Sequence, residues 1–99
     1  MHKYEAMFIV KPDLSEEEKN NLFNQITEFV AKNKGKVESS AVWAEKRRLA
    51  FAIKRNSEGI FYLMNFSSAP EAVAKLRSGY NLNENILRVL ITRIDEKLI

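Results

Sequence analysis

The residue types that carry most enzyme chemistry are nearly absent from this chain. It has no cysteine and a single histidine, His2. A disulfide framework, thiolate-held zinc, an iron–sulfur cluster and a cysteine nucleophile are therefore excluded. One imidazole makes neither a histidine cage nor the base of a Ser-His-Asp triad an expected feature. Clustered carboxylates occur at Glu16, Glu17 and Glu18 and again at Asp95-Glu96, and both sets read as solvated ends of elements. An enzyme cradling an oxyanion after its first strand needs a glycine-rich loop, whereas that position holds Lys11-Pro12-Asp13-Leu14. The expectation is a protein that is not an enzyme, with no cofactor, no metal and no small-molecule substrate. What remains is the chemistry of cations. Lys46, Arg47, Arg48, Lys54 and Arg55 follow one another without an intervening acid, and Lys75, Arg77, Arg88 and Arg93 form a sparser set around Glu84. The net charge of +3 is modest. Either set alone reads as a solvated face, but two meeting on one surface would suit phosphates.

These side chains must be held by a small scaffold. Ninety-nine residues support one core, so a single domain over residues 1–99 is expected. A composition of 45% hydrophobic and 29% charged residues, with three glycines and two prolines, belongs to globular rather than disordered chains. No apolar run reaches the roughly eighteen residues of a membrane span. Met1 to Glu5 lacks the basic, apolar and small-residue regions of a signal peptide, which predicts a cytoplasmic protein without membrane contact.

Tyr4, Ala6, Phe8 and Val10 alternate with Glu5, Met7 and Ile9, predicting a strand whose second face is also partly apolar. Pro12 ends it. Ser15 and Glu18 have capping-box spacing, and Leu22, Phe23, Ile26, Phe29 and Val30 recur at helical spacing up to a left-handed stop at Gly35. Lys36 to Ile53 reads as a long, bulged strand with a basic middle, turning through Arg55-Asn56-Ser57-Glu58-Gly59. Ile60 to Phe66 is apolar on both faces, as a central strand is. Ser68 and Glu71 repeat the capping-box spacing, with Pro70 in the first turn of a helix carrying Val73, Leu76 and Tyr80 and ending near Gly79. Ile86 to Ile94 is the last strand.

The order strand, helix, strand, strand, helix, strand predicts an α+β, ferredoxin-like split β-α-β fold, a four-stranded antiparallel sheet with two helices on one face. Met7, Ile9, Phe61, Leu63 and Leu90 are then left for the open face, an apolar surface suited to a partner. A module of the RNA-recognition-motif type would use that face to bind single-stranded RNA. Gly59-Ile60-Phe61-Tyr62-Leu63-Met64-Asn65 matches its third-strand motif only in part, with Phe61 the one well-placed stacking aromatic.

Tyr4-Glu5, the stretch Lys46-Arg47-Arg48-Leu49-Ala50-Phe51-Ala52-Ile53-Lys54, and Glu58-Gly59-Ile60-Phe61-Tyr62 closely resemble the S-six family of bacterial small-subunit ribosomal proteins, along essentially the whole chain. The family commonly has glycine at the position of Glu45, tyrosine at Phe51 and often proline at Ala52, so Glu45 should dilute the local positive charge here. The resemblance implies a structural component that binds the central domain of small-subunit ribosomal RNA as a heterodimer with the eighteenth small-subunit protein. By the same analogy, RNA contacts are expected at His2, Lys3, Arg88 and Arg93, where the first and last strands adjoin as outer strands. The protein partner is expected on the strand from Lys46 to Phe51, at Lys46, Arg47, Arg48, Leu49 and Phe51.

Overall fold

A computed structural model describes residues 1–94; Asp95 and Glu96 lie outside the described residues. The elements are β1 (His2–Val10), α1 (Glu16–Lys32), β2 (Lys36–Ile53), β3 (Asn56–Ser68), α2 (Pro70–Asn81) and β4 (Ile86–Ile94). All neighbours in the sheet are antiparallel, in the order β2-β3-β1-β4. This is the predicted split β-α-β fold with one correction. β1 is an inner strand and not an outer one, because it pairs with both β3 and β4. The apolar second face at Met7 and Ile9 fits that inner position.

The alternation in β1 buries Tyr4, Ala6, Phe8 and Val10 beneath the helices, where they meet Leu22, Ile26 and Val30 of α1 and Val73, Leu76 and Tyr80 of α2. Phe8 is wholly buried and its ring meets that of Tyr80 edge to face, with centroids 4.9 Å apart. The Tyr80 hydroxyl donates to the Ile26 carbonyl at 2.6 Å, tying α2 to α1, and burial pushes this phenol above its ordinary range.

Helix starts and stops are only partly as expected. The box at α1 forms: Glu18 N–H donates to Ser15 Oγ at 3.1 Å, and Ser15 N–H to Glu18 Oε1 at 2.9 Å. At its other end Lys34, not Gly35, takes the left-handed conformation, with φ 66°. Gly35 serves by its size, since a Cβ there would lie 2.7 Å from Val30 Cγ1 and 2.8 Å from the Ser67 carbonyl oxygen. The box predicted from Ser68 and Glu71 does not form. Ser68 stays in the β1–β3 ladder opposite His2, and its hydroxyl donates to the Ala69 carbonyl, so Ala69 is the N-cap and Pro70 the first helical residue. α2 does end near Gly79, two residues on at Asn81, but the glycine itself lies inside the helix, where a Cβ would come within 2.5 Å of the Phe29 ring.

The turn between β2 and β3 is also tighter than predicted. Lys54 and Arg55 have φ of 48° and 70°, the pair of positive values that a two-residue type I′ hairpin requires. Asn56 Nδ2 donates to the Lys54 carbonyl at 3.0 Å, and β3 has already begun. Gly59 lies in the strand opposite Arg47, where a Cβ would come within 2.5 Å of Ile9 Cγ2.

Candidate nucleic-acid and partner interface

The pairing of β1 with β4 distributes the four candidates for RNA contact over two faces. Arg93 pairs with Tyr4 and shares the helix-covered side, while Arg88 pairs with Ile9 on the open side. A guanidinium N–H of Arg93 donates to His2 Nδ1 at 2.6 Å. Because arginine has no acceptor, Nδ1 accepts in this contact. Lys3 stands opposite Ser67 and Ile94 on the open side. The fold thus brings His2 and Arg93 together at one end of β4, and Arg88 lies five residues, about 17 Å, along the strand. Lys75 and Arg77 are exposed on α2, among the helices.

The residues expected to meet a protein partner lie at the opposite edge. The β1–β3 ladder ends at Val10 and Ile60. Beyond it, β2 and the first residues of β3 continue as a two-stranded arm with no third strand among the described residues. Lys46, Arg47 and Arg48 are exposed there, Leu49 is half-buried, and Phe51 is 83% exposed. Phe51 falls in the irregular stretch of the ladder between Arg48 and Ile53, which leaves its ring without core neighbours. The two basic sets therefore do not merge: β2 and β4 are opposite edges of one sheet.

Glu45 pairs with a cation outside the arm. Its carboxylate lies 3.4 Å from Lys19 Nζ on α1, and Glu16 lies 3.3 Å from the same nitrogen. The Lys19 pKa is raised, first by the hydrogen bond to Glu16 and then by that to Glu45, against the opposing effect of desolvation. The acid among the arm's cations is thus turned toward the helix layer.

Sequence reasoning placed Trp43 in a strand but gave it no role. The Arg47 guanidinium sits 4.6 Å from the centre of its ring, and the Phe61 ring is 5.9 Å away. Spacing gave no signal for it, because β2 shifts register between Val42 and Ala44 and again between Ala44 and Arg47, so simple alternation does not run from Trp43 to Arg47. Next to them Asn65 Nδ2 donates to Ser39 Oγ at 3.1 Å, and the Ser67 hydroxyl donates to Glu38 at 2.7 Å. No group of three potential metal ligands occurs among the described residues.

A split β-α-β sheet with exposed arginines, lysines and aromatics at its edges and on its open face, and no metal-ligand cluster among the described residues, has surfaces suited to binding. Comparison with known proteins makes the class specific. The model of the family described as ribosomal protein S6 matches residues 3–93, and the chain belongs to that family. It is 36% identical over 96 residues to the small ribosomal subunit protein bS6 of Caldanaerobacter subterraneus subsp. tengcongensis, covering 97% of this chain and all of that one. The bS6 protein of Helicobacter acinonychis is 36% identical over 97 residues, and the alignment takes in 68% of its length. A crystal structure of 30S ribosomal protein S6 from Thermotoga maritima superposes with a TM-score of 0.85 at 28% identity, covering 94% of this chain and 87% of that one. The family is one of ribosomal proteins of the small subunit and not of enzymes, which assigns the chain to the bacterial cytoplasm. No helix is long and apolar enough to cross a membrane among the described residues.

Proposed function

We propose that the chain is a structural constituent of the small ribosomal subunit that binds the central domain of small-subunit ribosomal RNA together with the eighteenth small-subunit protein, as a heterodimer. The observation that carries this reading is the separation of two surfaces on one sheet. His2 and Arg93 stand together at the β1–β4 end, with Lys3 and Arg88 on the adjoining open side. The arm bearing Lys46, Arg47, Arg48, Leu49 and Phe51 stands at the far edge. One surface suits phosphates; the other combines cations with an exposed phenyl ring, which suits a protein.

So few cations on either surface give weak binding to RNA by the isolated chain and much tighter binding once the partner adds its own. A central-domain RNA fragment titrated with and without the eighteenth protein tests this. Equal affinity in the two titrations overturns the heterodimer reading. If about four phosphates are neutralised, log affinity falls by about 3.6 per decade of salt on the duplex-DNA slope, roughly a hundredfold from 50 to 200 mM. Arg88→Ala should flatten that slope by about one contact and weaken different RNA sequences alike. A slope identical to that of the unsubstituted heterodimer removes Arg88 from the RNA surface.

A further inference from the structure

The open face of the sheet is ordered into rows by its register. Arg88, Ile9, Phe61 and Ala44 form one row across β4, β1, β3 and β2, with the Trp43 ring beside Phe61 and Arg47 over Trp43. The next row, Leu90, Met7, Leu63 and Ala41, is wholly apolar. Glu5 enters only in the row after that, about 13 Å from Ile9 along the strand. The first row therefore runs about 14 Å across the strands from Arg88 to Ala44, with aromatic rings and no carboxylate, and Arg47, opposite Gly59, reaches over Trp43 at its β2 end. Trp43 is 54% exposed and Leu90 is 59% exposed.

Beside the indole lies a shallow slot of about 160 Å³, whose lining includes Ala41, Leu63, Ser39 and Asn65. A cavity of about 150 Å³ holds one benzene-sized ring. The slot thus offers an apolar floor, an aromatic wall already contacted by a guanidinium, and polar groups at its far end.

We infer that this row is a track for unpaired nucleotides of RNA, with one base stacked against Trp43 and backbone phosphates held by Arg47 and Arg88. The inference rests on the reading that the chain binds ribosomal RNA and adds a site to it. The occupant follows from charge and shape. Exposed aromatic rings between cations match a polyanion whose every unit has a π-face, as in modules that stack about two or three bases across a sheet. Arg47 stands where this track meets the arm, so it serves both surfaces.

Trp43 is the only tryptophan in the chain, so its emission reports on the site directly. The full-length protein is titrated at low salt with an unstructured uridine oligonucleotide and, separately, with an abasic sugar–phosphate chain of equal length. The oligonucleotide should quench the emission, whereas the abasic chain should leave it unchanged. Anisotropy of the labelled oligonucleotide should show Trp43→Ala weakening binding about tenfold, within the range for loss of one stacked base. Trp43→Phe should restore most of that loss, which an effect of misfolding would not allow. Absence of quenching by the oligonucleotide, or equal quenching by both polymers, overturns the inference. If the central-domain fragment still binds in the presence of that protein while the oligonucleotide does nothing, the ribosomal reading stands and the track falls.

Discussion

Phe8 and Ile9 are consecutive in β1, yet Phe8 lies wholly buried beneath the helices and Ile9 half-buried on the open side of the same sheet. The covered side is closed by α1 and α2 and carries the interlocked rings of Phe8, Tyr62 and Tyr80. The open side carries Trp43, Phe61 and Leu90, with Arg88 at the β4 end of the Phe61 row and Arg47 over the Trp43 ring. A strand alternates its side chains, so one nine-residue segment serves the core with half its residues and the surface with the rest. Stability should be concentrated on the first side and recognition on the second.

Substitutions test that division. Phe8→Ala should cost about 3–5 kcal/mol by removing a buried ring, which denaturant midpoints will register; an unchanged midpoint would mean that the covered face is not the core. Gly35→Ala should cost about 1–3 kcal/mol, because the added carbon meets the Ser67 backbone, which has little freedom to move away. Tyr80→Phe should cost about 1 kcal/mol through the lost hydrogen bond to Ile26. It should also alter the response to alkali. Burial raises the Tyr80 pKa, so above about pH 10 the unfolded chain releases this proton while the folded chain keeps it. Stability from the neutral phenol is present below that pH and is lost as pH rises. Lys19, also raised, acts in the same direction. Tyr80→Phe should therefore flatten, without abolishing, the fall in stability measured in denaturant titrations at increasing alkaline pH. Leu90→Ser and Phe51→Ala should each shift stability by no more than about 0.5 kcal/mol. A loss comparable to that of Phe8→Ala at either position would erase the distinction between the faces.

The hairpin arm sharpens the comparison, since among the described residues no third strand pairs with it. Arg47→Glu together with Arg48→Glu should leave the thermal midpoint nearly unchanged and reduce heterodimer formation. A variant that unfolds instead would show that the arm's charges serve the fold.

Much of this was legible in the residues themselves. Periodicity named the four strands, the two helices and the buried set Tyr4, Ala6, Phe8 and Val10, because alternation and helical spacing are local properties that water enforces on any chain. The capping box at Ser15 was equally local. Ser68 has the same spacing to Glu71, but its pairing with β1 fixed it in the ladder. The three glycines look like turn and helix-end signals, whereas each answers to a neighbour distant in the chain or across a helix turn: Ser67 and Val30 for Gly35, Ile9 for Gly59, Phe29 for Gly79. Charge behaved likewise. The list of cations was plain, but only strand order put the two basic sets on opposite edges, joined His2 to Arg93 and set Glu45 against Lys19. Local propensities act over a few residues, while a site is made of groups tens of residues apart, and their meeting is decided by how the hydrophobic faces stack and in what register the strands pair.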